Sequence, residues 1–197
     1  MMIRPARASD AAQIARICLS TGDAGRDASG LFCDDAAISD VYATPYLSGP
    51  GGFALVWDLQ GEALGYVLGT DDTRAFQRWF VEEWWPRVGG QHVPRTARDS
   101  WLLPAAADPA RMLVAEISDF PAHLHIDVLP DQQGKGAGRA LIDAAVELLT
   151  HRNIAGVHLG VDAANEGALA FYKRVGFQIL SRTDAGVVLG RRTKFAE

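Results

Sequence analysis

Cysteine is scarce in this chain. Cys18 and Cys33 are the only two in 197 residues, too few for a disulfide framework. Cys18 falls on the apolar stripe of a predicted helix, which fits a buried, reduced thiol. Positive charge is also short: 19 Lys and Arg stand against 24 Asp and Glu, a net charge of -5. A general nucleic-acid binder is usually basic, so that class is not expected, although a local basic patch stays open. No apolar run approaches the roughly 20 residues that span a bilayer. The opening Met1-Met2-Ile3-Arg4-Pro5 has no apolar signal-peptide core. The expectation is a cytoplasmic protein with no membrane partner. No internal repeat, low-complexity tract or linker divides the chain, so residues 1–197 are expected to form one domain.

What is present is ordinary globular composition, 48% hydrophobic and 22% charged, arranged in alternating element types. Met1 to Pro5 reads as a first strand. Ser9 or Asp10 is a candidate N-cap for a helix carrying Ile14, Ile17 and Cys18 to about Ser20. A short helix is expected near Asp35 to Tyr42. Gly52 to Trp57 and Ala63 to Leu68 read as a hairpin about Leu59-Gln60-Gly61. Asp71 or Asp72 would cap a helix bearing Phe76, Trp79, Phe80, Trp84 and Trp85, ended by Pro86 and Gly89-Gly90. Gln91 to Ala115 has no clear period and reads as loop with short helical pieces, so 71–120 is expected to be a helical and loop insertion.

His123 to Val128 alternates polar and apolar, as a strand does, and Pro130 ends it. Helices over Gly138 to Leu149 and Asn165 to Val175 flank a strand over Val157 to Val161. Gly176 stops the second helix. Phe177 to Ser181 and Val187 to Leu189 read as a closing hairpin about Asp184-Ala185-Gly186.

The loop Gln133-Gly134-Lys135-Gly136-Ala137-Gly138-Arg139 joins a strand to a helix. Glycines there let the chain turn tightly and let a ligand approach the amides. The free N–H groups of the helix start favour an anion, so a phosphate or pyrophosphate is one reading. A glycine-rich turn with no ligand is the other. The magnesium-binding P-loop needs Ser or Thr after Gly134-Lys135, where Gly136 stands. The dinucleotide pattern needs a glycine where Arg139 stands. Neither fits.

These residues resemble the GNAT superfamily of N-acetyltransferases, whose loop reads Gln or Arg, two residues, Gly, one residue, then Gly or Ala. Gln133, Gly136 and Gly138 match it. Asn165, Ala168, Phe171-Tyr172 and Gly176-Phe177 match the family's following helix. The resemblance covers about Ala122 to Leu180. More narrowly, Arg4-Pro5, Ile17-Cys18, Thr21-Gly22, Asp27-Ala28-Ser29, Trp84-Trp85-Pro86 and Ala122 to Asp127 resemble the acetyltransferase-like domain of O-GlcNAcases and its free-standing bacterial relatives.

The resemblance implies a mixed α/β fold, a splayed and mostly antiparallel sheet flanked by helices. Acetyl-CoA would lie in the splay as co-substrate, with a small-molecule or peptide amine as acceptor. Backbone groups of Ile126, Asp127 and Val128 would hold the pantetheine arm, or form only a central strand. Gly134, Lys135, Gly136, Ala137, Gly138 and Arg139 would hold the pyrophosphate by their amides. The charges of Lys135 and Arg139 would assist or lie solvated. Asn165 would touch the cofactor, cap its helix, or both.

Tyr172 would be the general acid toward the departing thiolate, or a core aromatic. Asp127, with Asp162 across the splay, would be the general base. Asp127 could instead be a hydrogen-bonded structural residue. His123 and His125 share Asp127's strand face, and Glu116 lies just upstream. No set of ligands spaced for a metal accompanies the histidines. The Trp-rich helix would pack on the sheet, wall the acceptor pocket, or make a homodimer contact. The expected function is direct acetyl transfer to an amine. The alternative is an acyl-CoA-binding or interaction module with weak or no catalysis.

Overall fold

The computed structural model describes residues 2–183 and 186–193. Its centre is one seven-stranded sheet in the order β1-β2-β3-β4-β5-β7-β6. The strands are β1 (Met2–Pro5), β2 (Gly52–Leu59), β3 (Glu62–Thr70), β4 (Ala122–Val128), β5 (Gly156–Val161), β6 (Gln178–Thr183) and β7 (Gly186–Arg192). Every pairing is antiparallel except β4 with β5. The mixed, mostly antiparallel sheet implied by the family resemblance is the sheet observed.

Alternation along the strands sends side chains to two cores. Val56, Tyr66 and Leu68 face one core, with α1 (Ala11–Thr21), α2 (Ala36–Tyr42) and α3 (Thr73–Trp79). Leu55, Val67, Leu124 and Leu159 face the other, under α6 (Ala137–His151). There α6 buries Leu141, Ile142, Ala145 and Leu149 at helical spacing. Partly buried Leu169, Phe171 and Tyr172 of α7 (Glu166–Arg174) pack on the same core. No helix of the described residues is long and apolar enough to cross a membrane.

Two expectations are corrected. Asp10 does not cap α1 with its side chain. It is buried instead, accepting from Arg4 at 2.6 and 3.0 Å and from the Arg7 amide at 2.6 Å. Arg4 also donates to Asp58 at 2.7 Å. The buried guanidinium needs carboxylates more than the helix needs a cap.

Pro86 does not end the aromatic helix. After α3 the chain widens into a π-helical turn over Phe80–Trp84, and α4 (Trp85–Val88) carries Pro86 in its first turn. A proline lacks the N–H and crowds the carbonyl four residues back. The wider turn relieves both.

The stretch expected to be loop with short helical pieces contains α5 (Asp99–Ala107), with Pro104 inside it. Asp99 anchors its start by accepting from the Arg95, Thr96 and Cys33 amides. The turn expected at Asp184-Ala185 lies outside the described residues.

Candidate active site

The parallel strands β4 and β5 pair only at Ala122 with Val157 and His123 with His158. Beyond these rungs they diverge. The β3 side of β4 stays fully paired from His123 to Val128, so the other edge is left open toward the gap.

A cleft of about 610 Å³ occupies this splay. Its lining gathers Ile126, Asp127, Val128, Gln133, Gly134, Gly138, Asp162, Asn165, Ala168, Phe171 and Tyr172. Thr21, Ala24 and Gly25 at and just after the end of α1, with Gly160, Val161, Gly167 and Arg174, complete it. These seven were missed as site residues. Thr21 falls within the narrower family resemblance, with no role given to it there.

The glycine loop is shaped as its spacing predicts. Gly134 and Gly136 take φ of 72° and 87°, a region that an L side chain adopts only at a cost. Gly136 is also the left-handed residue preceding α6. The amides of Gly134, Lys135 and Gly136 donate to no backbone acceptor among the described residues. Gly138 serves packing: a Cβ there would stand 3.0 Å from the Phe171 ring.

Lys135, Gly136, Ala137 and Arg139 do not line the cleft. Lys135 turns back to Gln132 Oε1 at 3.4 Å, and Arg139 donates to the Arg174 carbonyl at 2.8 Å. That carbonyl is an orphan acceptor at the end of α7.

Asn165 caps α7, accepting from the Ala168 amide at 3.0 Å, and still lines the cleft. Asp162 accepts from the Ala164 amide at 2.8 Å and is exposed at the rim. The Tyr172 ring packs edge-on to Phe171 and Phe177. Burial, then the nearby Asp127 charge, raises its phenol above the ordinary range. It is therefore protonated at neutral pH. Asp127 accepts from Tyr66 Oη at 2.6 Å. Burial pushes its carboxyl up to about 6, partly offset by that hydrogen bond.

His123 and His125 share Asp127's face but sit in a different polar cluster. Thr73 Oγ1 donates to the Pro121 carbonyl at 2.7 Å, so it accepts from His123 Nδ1 at 2.9 Å. His123 Nε2 then accepts from Tyr46 Oη at 2.7 Å, and Tyr46 Oη accepts from His125 Nε2 at 2.9 Å. This chain fixes both tautomers and leaves Nδ1 of His125 as an acceptor. Burial pulls His125 down to about 3 and His123 well below the ordinary value. Both are neutral near pH 7.

These histidines line a second cavity of about 580 Å³ with Arg111, His158, Tyr42 and Trp101. Gly160, Val161 and Asp162 line both spaces, which therefore meet along β5. Glu116, the other candidate base, lines neither, and its buried Oε2 has no hydrogen-bond partner among the described residues.

Comparison with known proteins decides the family. The model of the acetyltransferase (GNAT) family matches residues 25–177. The chain belongs to this family. Its acetyltransferases use acetyl-CoA.

A mycothiol acetyltransferase of Propionibacterium freudenreichii is 41% identical over 61 residues, 31% of this chain and 19% of that protein. An uncharacterized N-acetyltransferase of Methanocaldococcus jannaschii is 47% identical over 92 residues, 46% of this chain and 36% of that protein. The matches thus span about a fifth to a third of these curated relatives. Among solved structures, the protein called SsHAT is 39% identical, with a TM-score of 0.89 and 98% of both chains covered. The Thermoplasma acidophilum PaiA N-acetyltransferase, solved with coenzyme A, shares the fold at 12% identity and a TM-score of 0.60, over 98% of this chain and 99% of that one.

Proposed function

We propose that this chain transfers an acetyl group from acetyl-CoA to an amine by direct attack. One observation carries the reading: the open edge of β4 and the glycine loop line the same cleft as Tyr172. In this reading 1–197 is one acetyltransferase domain, with 71–120 inserted between β3 and β4.

Acetyl-CoA supplies the activated acyl thioester. Backbone groups of Ile126, Asp127 and Val128 bind the pantetheine arm as an added strand would. Amides from Gly134 to Arg139 bind the pyrophosphate at the start of α6. Asn165, Ala168 and Phe171 wall the cofactor. Tyr172 keeps its proton until a thiolate departs. Asp127, assisted by Asp162 across the splay, accepts the amine proton. Holding both reactants in one splay supplies much of the rate. The narrower kinship with the acetyltransferase-like domain of O-GlcNAcases belongs to the same proposal. It is supported by Arg4-Pro5, Trp84-Trp85-Pro86 and Ala122 to Asp127, the first and last of which supply the buried Arg4 and the cleft carboxylate Asp127.

Calorimetric titration with acetyl-CoA, then thiol-detected CoA release across a set of amines, tests the activity. Saturable binding and release with at least one amine are expected. Binding without release on any amine would favour the acyl-CoA-binding module. No binding would sink both.

A further inference from the structure

The second cavity carries information about the acceptor. Of its described lining residues, Arg111 and Asp162 alone carry formal charge at neutral pH; the three histidines are held neutral or lowered by burial. Asp162 sits where the cavity meets the cofactor cleft, and Arg111 lines the cavity only. No carboxylate among the described residues forms a salt bridge with Arg111. Its Nε and Nη2 are buried without a hydrogen-bond partner there.

The guanidinium is nevertheless held in place. It lies over the Phe80 ring at 4.9 Å and the Tyr42 ring at 5.5 Å. Its loop is clasped by buried Gln77, which accepts from the Met112 amide at 3.0 Å and donates to the Asp108 carbonyl at 3.1 Å. A fixed, unneutralised guanidinium is the group that matches a carboxylate. Trp101, Met112, Leu124 and Val187 give the same cavity an apolar wall.

Resting on the acetyl-transfer reading, we infer that the acceptor is an apolar amino carboxylate. Its carboxylate meets Arg111, and its amine faces the splay beside Asp162. The acidic character of the whole chain therefore does not select a polycation at this site.

The test uses the full chain with acetyl-CoA and detects free CoA. Acceptors are L-phenylalanine, L-leucine, L-methionine and ω-amino carboxylates of increasing length. Their methyl esters and spermidine serve as controls. Carboxylates should be preferred over their own esters. Arg111→Gln should raise the carboxylate KM by roughly 30-fold or more, as loss of one partner of a buried charged pair does. It should cost the esters much less than the carboxylates, so that the acid-over-ester preference collapses, and Arg111→Lys should recover part of that preference.

Equal use of acids and esters, or a preference for spermidine, would overturn the inference. If the wild type acetylates no amine, the acetyl-transfer reading fails separately. Calorimetric titration of the CoA-loaded protein with N-acetyl-phenylalanine then decides: binding lost in Arg111→Gln supports the anion site, and no binding refutes it. Should Arg111→Gln fail to fold, the acid-against-ester preference of the wild type decides alone.

Discussion

Asp127 and Tyr172 illustrate how a neighbourhood assigns roles to ordinary side chains. Burial raises both, and the consequences are opposite. Asp127, at about 6, becomes an ionised base as the pH passes through that value. Tyr172 remains a proton donor well above it. The rate should therefore rise with pH along a limb near 6, and Asp127→Asn should remove that limb while acetyl-CoA still binds. An unchanged profile would leave Asp127 a structural partner of Tyr66. His125 cannot produce the limb, because it titrates near 3. Tyr172→Phe should lower turnover by roughly 10²-fold, the usual worth of a positioned acid, with little change in acetyl-CoA affinity. Wild-type turnover would return Tyr172 to the aromatic core.

At this scale, legibility followed chemistry that is local in sequence. Asn165 as a cap and Gly136 as a left-handed turn are set by their immediate neighbours. Arg111 was invisible, because its significance lies in Phe80, Tyr42 and Gln77, which come from other elements. Thr21, Ala24 and Gly25 were hidden for the same reason: only the packing of α1 on β4 brings them to the cleft.

Among the elements, the loop from Gln133 to Arg139 was the most legible, because left-handed φ values and a helix start leave their mark directly as glycine. Its glycines do different work. Gly136→Ala strains the backbone at a φ of 87° and should cost about 1–2 kcal/mol of stability. Gly138→Ala instead drives a methyl into Phe171. It should weaken acetyl-CoA binding more than it lowers the melting temperature, because Phe171 lines the cleft. Equal losses in both measurements would remove that distinction.

The Trp-rich segment was legible as helix but not in its internal form. A proline inside an apolar period reads as a stop unless a π-turn is foreseen, and nothing local announces one. Segment α5 was legible only as one of the short helical pieces of its stretch: Pro104 stands inside it, and Asp99 at its start is fixed by distant Cys33 as well as by Arg95 and Thr96.

For the whole molecule, the buried histidines set an acid limit. An unfolded histidine titrates near 6.5, whereas His125 in the fold stays neutral down to about 3. His123 and His158 are lowered too. As pH falls below 6.5 the unfolded chain binds protons that the fold refuses, so stability is lost. Asp127 acts in the opposite sense, since its folded carboxyl gains a proton near 6 before the unfolded one does. With three histidines against one carboxylate, the melting temperature should fall between pH 6.5 and 4.5. His125→Gln should flatten that fall, and an unchanged slope would remove His125 as its source.

The two-rung joint between β4 and β5 has a mechanical corollary. The sheet is a pair of stiff plates, β1-β2-β3-β4 and β5-β7-β6, sewn together by a short seam. A ligand that bonds to the open edge of β4 while touching β5 and α7 acts as the missing stitching. Amide hydrogen exchange in β5, β6 and β7 should then slow far more on adding coenzyme A than exchange in β2 and β3. The molecule's resistance to opening would be set by the cell's supply of its own co-substrate.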